Sequence, residues 1–386
     1  MEQFFADLHI HVGRNKYGKP VKITGAKSLT ITNILKEASD RKGINIVGVI
    51  DCHAPSVLEE LEDSINSGIA VEEVDGGIRY KNTTLFLGSE IEIYDHKCQG
   101  PIHVLCYFPA IKIMKQFTDW LSHHMKNIEL SSQRYYGTAI ELQEKVKELD
   151  GIFIPAHIFT PFKSTFGKGV KRSMGEVFNT RLVDGVELGL SSDTYMADQI
   201  KELHAYPFLT NSDAHSLGKI GREYQLLEME APTFSEWKKV LHHKGNRKIV
   251  ANYGMHPKLG KYYATVCKNC LSPVPHESPC PVCGSSSVIR GVSDRINELA
   301  SNEPNPNKRP PYIYQVPLEY IPGLGKKTFE KLLDHFHNEM NIIHYVPYDH
   351  LKDVVGDRIA NSIMNIRNGV VEIEQGGGGK YGKWLS

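Results

Sequence analysis

Apolar and polar positions follow two rhythms along the first two thirds of the chain. Short, nearly unbroken apolar runs fall at 3–10, 44–51, 84–93, 102–108, 151–158, 183–190, 207–212 and 225–230. Runs of this length with little polar alternation predict strands buried on both faces. Between many of them lie stretches with apolar residues three and four apart: Leu29–Arg41, Val57–Asn66, Thr138–Leu149, Asp193–His204 and Phe234–His243. Those predict amphipathic helices. Strand–helix alternation predicts a mainly parallel α/β sheet. Roughly seven or eight such units in about 250 residues favour a closed, barrel-like form, with an open doubly wound sheet as the alternative. The run at 102–108 follows 84–93 after only a short turn, so a regular eightfold β/α barrel is not expected.

The pattern breaks near 253–262, where Gly254, Pro257 and Gly260 cluster, and a compact cysteine segment follows to about 290. Residues 301–313 are rich in Pro and Asn and read as a connector or extended loop. Helical patterns return at 325–339 and 348–367, ahead of a glycine-rich tail at 376–382. The expected division is 1–255, 256–300 and 301–386, with no repeat of solenoid period.

Composition narrows the picture only in places. Across 386 residues the formal net charge is zero, so affinity for a polyanion must come from local basic patches. Mean hydropathy is −0.33 and no apolar run is long enough to span a bilayer. The amino terminus shows no secretory signal, and cytoplasm, near the nucleoid, is the expected location. Seven cysteines, four of them in two C-x-x-C pairs, fit a reducing compartment and metal rather than disulfides.

The 18 histidines are more telling, because several close apolar runs. His9 and His11 lie two apart at the end of the first run, so a strand would point both the same way. Asp51 and His53 end the second run, Glu90 lies in the third and His103 opens the fourth. His157 ends the fifth, and Asp213 and His215 follow the run at 207–212. Imidazoles and carboxylates without thiolate, at the carboxyl edges of barrel strands, suit hard or borderline divalent cations such as Zn, Mn or Mg. Nine candidate ligands exceed what one tetrahedral ion can use and imply two or three ions, bridged by a carboxylate. Such ions lower the pKa of bound water toward about 7 and clamp a phosphate, which suits hydrolysis of a phosphate ester.

The ordered set H-x-H, D-x-H, G-x-E, a strand-borne His, P-A-H and S-D-A-H resembles the polymerase and histidinol phosphatase (PHP) family of metal-dependent phosphoesterases. The resemblance spans residues 1 to about 230. It implies a first metal on His9, His11, Glu90 and Asp213, and a second on Glu90, His103 and His157. A third would take His53 and His215, with Asp51 as ligand or orienting partner. Glu90, Asp51, Asp213 and His215 would form the catalytic centre. Some members carry another histidine shortly after the first pair; here that stretch is Gly13–Tyr17, which puts the third metal in question.

Cys267, Cys270, Cys280 and Cys283 make two knuckles of the spacing that closes a four-thiolate tetrahedron around one structural zinc. Such a site has no open coordination position and staples a segment too short for its own core. Cys52, Cys98 and Cys106 lie in or beside apolar strands and read as core residues.

Farther on, Ile321-Pro-Gly323-Leu-Gly325-Lys326-Lys327 leads into a helical pattern and resembles the helix-hairpin-helix motif. There, glycines let backbone N–H groups approach a DNA phosphate, with Lys326, Lys327 and Lys331 flanking. Val354–Ala360 resembles its degenerate partner; the plainer alternative is an interhelical turn with a solvated lysine face. Lys380, in the glycine-rich tail, belongs either to a disordered terminus or to a strap on a phosphate chain. Residues 160–173 carry Lys163, Lys168, Lys171 and Arg172 with Phe162 and Phe166 interleaved and no acid. This loop suits a nucleic acid strand or a flipped base, or else a lid over the metals.

A PHP barrel, a four-cysteine zinc module and a helical end in this order resemble the endonuclease Q family of DNA repair nucleases over essentially the whole chain. The resemblance implies incision on the 5′ side of uracil, hypoxanthine, xanthine or an abasic site, leaving 3′-hydroxyl and 5′-phosphate ends. It is also expected to act as a monomer on damaged DNA. Deamination replaces an amino donor by a carbonyl acceptor, so a pocket with matching partners would reject the undamaged base by about 1–3 kcal/mol. The rival readings are another PHP phosphoesterase, either exonuclease or small-molecule phosphatase, and a non-catalytic DNA-binding accessory.

Overall fold

A computed structural model describes residues 1–274, 279–301, 303–370, 372–374, 380 and 382–385. The strands in chain order are β1 (Glu2–Ile10), β2 (Ile46–Val49), β3 (Val71–Glu72), β4 (Ile78–Tyr80), β5 (Thr83–Ile93), β6 (Ile102–Phe108) and β7 (Arg134–Tyr135). They continue as β8 (Ile152–Pro155), β9 (Val186–Glu187), β10 (Phe208–Leu209), β11 (Tyr224–Met229), β12 (Lys248–Gly254), β13 (Val266–Cys267), β14 (Val288–Ile289) and β15 (Tyr312–Tyr314). β1 pairs parallel with β2 and β2 parallel with β5, while β6 runs antiparallel between β5 and β8. Beyond β8 the wall continues through single backbone bonds: Asp184 N to Phe153 O at 3.0 Å and Ile158 N to Glu187 O at 2.9 Å. β9 and β10 pair in parallel, and Ala214 closes the ring on β1 through His11 N to Ala214 O at 3.1 Å and Ala214 N to His9 O at 3.0 Å. The result is the distorted barrel expected from the pattern, with β6 reversed.

The interior explains why the strands read as unbroken apolar runs. Phe4, Ala6, Leu8, Phe86, Leu105, Tyr107, Ile152 and Ile154 are buried together. Trp237 and Phe234, from the helix at Phe234–Leu241, plug the amino-terminal end of the strands, Trp237 stacking on Phe86 at 5.5 Å. The opposite, carboxyl end carries the polar residues.

Helices α1 (Ile31–Lys36), α2 (Pro55–Asn66), α3 (Ile111–Ser122) and α4 (Ala139–Glu148) cover the outside. α1 begins where the Thr30 side chain accepts from Asn33 N and runs into a π-helical turn at Glu37–Lys42, ended by Gly43 at φ 76°. α4 opens with a reciprocal cap between Thr138 and Glu141. The helix expected at 193–204 is broken: only α5 (Thr194–Ala197) is α-helical, and a 3-10 turn follows at Lys201–Ala205. The His204 ring reaches the Asp198 carbonyl at 2.8 Å, occupying an acceptor that a continued helix would need. After β11 comes α6 (Phe234–Leu241).

Antiparallel β11 and β12 extend the sheet on the far side of β1. β15, which begins inside the stretch expected to be a connector, joins β12 in parallel at Asn252↔Tyr312 and Gly254↔Tyr314. Between them, β13 and β14 frame the cysteines, and α7 (Val292–Leu299) returns to the barrel. The carboxyl-terminal helices α8 (Lys326–Phe336), α9 (Glu339–His344) and α10 (Tyr348–Arg367) lie against the barrel flank. They are tied there by Arg41–Glu330 at 2.9 Å, Lys42–Glu339 at 2.6 Å and His344 stacked on Phe5 at 4.8 Å. Gly356 interrupts α10 with φ 78° and ψ 167°, so the segment 354–360 is a turn within the helix. Among the described residues, no helix is long and apolar enough to cross a membrane.

Candidate active site and metal centres

The polar residues at the carboxyl rim converge on a cavity of about 510 Å³ lined by His11, Lys22, Glu90, His103, His157 and Asp213 among others. Three donor groups form there: His9, His11 and Glu90; Glu90, His103 and His157; and His11, Asp213 and His215. In each, one ligand atom per residue lies within 4.8 Å of the others. Glu90 belongs to two groups and His11 to two, so the groups adjoin.

β1 supplies the first two imidazoles. Its pairing with β2 shifts register between Asp7 and Ile10, a local irregularity of the kind that re-aims side chains near active sites. His9 Nδ1 donates to Glu187 at 2.9 and 3.1 Å, which leaves Nε2 facing Glu90 Oε1 at 3.5 Å and Asp213 Oδ1 at 3.4 Å. His11 Nδ1 lies 3.1 Å from Asp51 Oδ2, and its Nε2 lies 3.6 Å from both Glu90 Oε2 and Asp213 Oδ1. His103 Nδ1 meets Glu90 Oε1 at 2.9 Å, and His157 Nε2 stands 3.5 Å from the same oxygen.

Whether these residues fit metal ions is tested by the atoms left without a partner. Among the described residues, His9 Nε2, His11 Nε2 and Asp213 Oδ1 are buried with no hydrogen bond, while His103 Nε2 faces Glu92 Oε2 at 3.7 Å. Buried polar atoms in a folded protein are nearly always paired, so a cluster of orphans aimed at one cavity is what a cation site looks like without its ion. Burial alone would raise the Glu90 and Asp213 carboxyls, but the facing imidazoles, with Lys22 beside Glu90, hold both well below the usual range. Both therefore stay anionic, as ligation requires. Asp213 and His157 also hold strained left-handed backbones, with φ of 46° and 29°, a strain that clusters where geometry serves function.

Other expected ligands are placed differently. Asp51 is fully buried behind His11, its Oδ2 accepting from Val12 N at 2.7 Å, which is the orienting position rather than the ligating one. His53 departs from the expected ligand role. Its Nδ1 takes Ser89 Oγ at 2.8 Å and its Nε2 faces Leu130 O at 3.3 Å, so neither ring nitrogen is left for an ion. His215 is a third exposed at its side chain, with Nδ1 on its neighbour's carbonyl, Asp213 O, at 3.0 Å. Burial and the nearby His11 push its pKa down to about 4, so it is neutral across the physiological range.

Three participants carry no motif. Glu187, on β9, is 1% exposed and gathers His9 Nδ1, His157 N at 2.8 Å and Asn211 Nδ2 at 2.7 Å. Asn211 in turn accepts from Leu8 N at 2.9 Å. Lys22 places its Nζ 3.2 Å from Glu90 Oε2 and 2.6 Å from Ser132 Oγ. Such residues declare themselves only when the chain is folded, since they are remote in sequence from the partners they hold.

The residues expected to meet DNA divide. Phe166 is fully buried, stacked on Phe159 at 5.5 Å, with its N–H on Ile158 O at 2.8 Å; it is a core residue and cannot stack on a base. Lys163 pairs with Glu92 at 2.8 Å at the cavity wall. Lys168, Lys171 and Arg172 are exposed, and the loop that carries them is fastened by Arg295 to the carbonyls of Phe166 at 2.7 Å and Lys171 at 2.6 Å. Phe162, by contrast, is 52% exposed and meets Tyr262 edge-to-face at 5.7 Å at the cavity mouth. Gly323 has φ 88° and open space around its Cα, a conformation that favours glycine. Gly325 caps α8, with Lys326 and Lys327 exposed on its first turn. Lys331 donates to Val354 O at 2.7 Å and so bridges the two turns. Lys380 is exposed, and residues 376–379 of the tail lie outside the described ones.

The four thiols of Cys267, Cys270, Cys280 and Cys283 also lie within 4.8 Å of one another, with Sγ–Sγ distances of 3.5 Å for 267–283 and 3.4 Å for 270–280. Leu271 N on Cys267 O at 3.0 Å and Gly284 N on Cys280 O at 2.8 Å form the two knuckles. Such a closed thiol set suits a structural divalent metal.

A distorted barrel whose rim gathers imidazoles and carboxylates, followed by a four-cysteine module and helices, is the architecture expected from the sequence, with a rim suited to divalent metal ions. No protein-family model matches the chain. It is 53% identical over 384 residues to the uncharacterised protein YqxK of Bacillus subtilis (strain 168), covering 99% of both chains. The uncharacterised protein MJ0043 of Methanocaldococcus jannaschii is 33% identical over 303 residues, which are 72% of this chain and 35% of that one. The lesion-specific endonuclease PfuEndoQ of Pyrococcus furiosus is similar in structure, with a TM-score of 0.86 and 32% identity over 99% of this chain and 95% of the other. An endonuclease Q bound to a 27-mer duplex substrate, with an abasic lesion at its active site, has a TM-score of 0.85 and 32% identity over 99% and 96%. The chain belongs to the endonuclease Q family and is a metal-dependent endonuclease.

Proposed function

We propose that this protein is a DNA repair endonuclease that cuts the phosphodiester on the 5′ side of a damaged nucleotide. Abasic sites and the deaminated bases uracil, hypoxanthine and xanthine are its substrates, and the ends left are 3′-hydroxyl and 5′-phosphate. The observation that carries the reading is the convergence of unpaired imidazole nitrogens and a carboxylate oxygen on one cavity, in a chain similar over its whole length to lesion-acting endonucleases.

His9, His11, Glu90 and Asp213 would hold one divalent cation, and Glu90, His103 and His157 a second, with Glu90 shared. Asp213 and His215 line the remaining side, where His53 is turned away. Cations held there supply acidified water and neutralise charge that develops on phosphate. The protein's own part is orientation. Glu187 fixes the His9 proton on Nδ1 and Asp51 steadies His11, so that each Nε2 faces the cavity. Phe162 and Tyr262 offer an aromatic wall for a base or deoxyribose drawn out of the helix. Gly323, Gly325, Lys326 and Lys327, with the exposed Lys168, Lys171 and Arg172, would track the flanking phosphates. The four-cysteine module would hold one structural zinc.

The test is a set of end-labelled duplexes, each with one altered nucleotide at a known position, incubated with Zn, Mn or Mg. The reading expects products ending immediately 5′ of the lesion. Products that shorten progressively from an end, and no cutting of a closed circle, would make it an exonuclease; binding without cutting under any metal would support an accessory protein.

A further inference from the structure

Lys22 is set into the cavity wall by the backbone around it. Its N–H donates to Val12 O at 2.8 Å, and its carbonyl accepts from Gly25 N at 3.0 Å. The side chain is 14% exposed, and its Nζ touches Glu90 Oε2 and Ser132 Oγ. An ammonium has three donors, and Glu90 and Ser132 account for two. Ser132 itself also hydrogen-bonds to Glu90 and to Ser131 Oγ, at 3.0 Å for the latter. The serine thus holds the lysine head at the edge of the carboxylate that two donor groups share.

Burial works against this ammonium, but Glu90 against it and Asp51 and Asp213 nearby favour it. Cations in the neighbouring donor groups would repel an ammonium at such range. Glu90, already against Lys22, is the carboxylate that both adjoining donor groups would share, so with cations held there the ammonium is left a weaker partner, and the further anion this reaction brings is the scissile phosphate. We propose that Lys22 is a catalytic residue whose ammonium binds a non-bridging oxygen of that phosphate. This rests on the phosphodiesterase function proposed above. The water oxygen bonds to phosphorus and the bond to the 3′ oxygen breaks, with one proton of the water ending on that oxygen as the 3′-hydroxyl. As this happens charge grows on the non-bridging oxygens, and a donor already fixed beside them stabilises the transition state more than the ground state.

The experiment compares Lys22→Met and Lys22→Arg with the parent, as full-length, metal-loaded protein. Single-turnover cleavage of an abasic duplex should fall by about 10- to 100-fold for Lys22→Met, the value of one charge-assisted hydrogen bond, and recover in part for Lys22→Arg. Metal content by mass spectrometry should equal the parent's. A competing duplex with a neutral methylphosphonate at the scissile position should inhibit parent and Lys22→Met equally, since it lacks the charge that the lysine reads. Unchanged cleavage would overturn the proposal. So would a lower rate accompanied by lost metal or by weakened methylphosphonate binding, which would make Lys22 a structural tie on Glu90. A parent protein that never cuts the duplex would overturn the function itself, and this inference with it.

Discussion

Glu187→Gln tests how the first imidazole is aimed. The wild-type carboxylate meets His9 Nδ1 with both oxygens, at 2.9 and 3.1 Å, and is also the acceptor for His157 N and the Asn211 amide. Burial works to raise the Glu187 carboxyl, yet His9 beside it and the surrounding hydrogen bonds hold it below its ordinary value, so it is an anion. Glutamine keeps the shape and one acceptor but turns a charge-assisted bond into a neutral one. That difference is about 1–2 kcal/mol, or roughly 5- to 30-fold in an equilibrium constant. The loss should fall on metal binding, because the Nδ1 bond fixes the tautomer that presents Nε2. Titrating the metal-free protein against a chelating dye should show the lost affinity, and cleavage at saturating metal should return to within a few-fold of the parent. Metal affinity within twofold of the parent would refute the orienting role. A rate that stays low at saturating metal would show that Glu187 does something beyond aiming His9.

Glu223 is fully buried, and desolvation raises its pKa to about 8, above the usual 4.5. Between those values the folded protein keeps a proton that the unfolded chain releases, so the group's contribution to stability falls as pH rises and levels off above about 8. Glu223→Gln should remove that slope and be more stable than the parent at pH 8, by up to about 3–5 kcal/mol; unfolding curves at pH 5 to 9 whose difference between the two proteins does not change with pH would contradict it. Phe166→Ala opens a core cavity and should cost about 3–5 kcal/mol of stability. Cleavage by the folded fraction should show no change in preference among uracil, hypoxanthine and abasic duplexes; a selective loss of one substrate would return Phe166 to the base pocket.

What the sequence made legible is what is local. His9 and His11, the run into Glu90, and the P-A-H and S-D-A-H segments each end or occupy an apolar strand, and the barrel brings the strand ends together. The C-x-x-C pairs were equally plain, because a knuckle is a turn of four residues. The helical period of α4 is visible in Ala139, Leu142 and Val146, whereas β15, three residues long after a run of Pro and Asn, exists only because β12 offers it an edge.

The rest depends on contacts between distant segments. D-x-H spacing makes His53 look like a ligand, but Ser89 and the Leu130 carbonyl take its ring. Basic residues interleaved with aromatics suggest a nucleic acid strand, yet the loop folds back to bury Phe166 on Phe159 and leaves Phe162 at the cavity. Glu187, Asn211 and Lys22 sit 178, 203 and 68 residues from the partners that give them meaning. No spacing rule reaches that far.

The central claim is that the rim cluster cuts DNA beside a lesion with the help of metal ions. It is tested most directly on one duplex with a single abasic site, labelled at the 5′ end, with the protein freed of metal and then reloaded. The account predicts no cutting before reloading, and afterwards one product ending in a 3′-hydroxyl at the nucleotide before the lesion, lost in Asp213→Ala. Cutting that needs no metal, ignores the lesion, or persists in Asp213→Ala would contradict it.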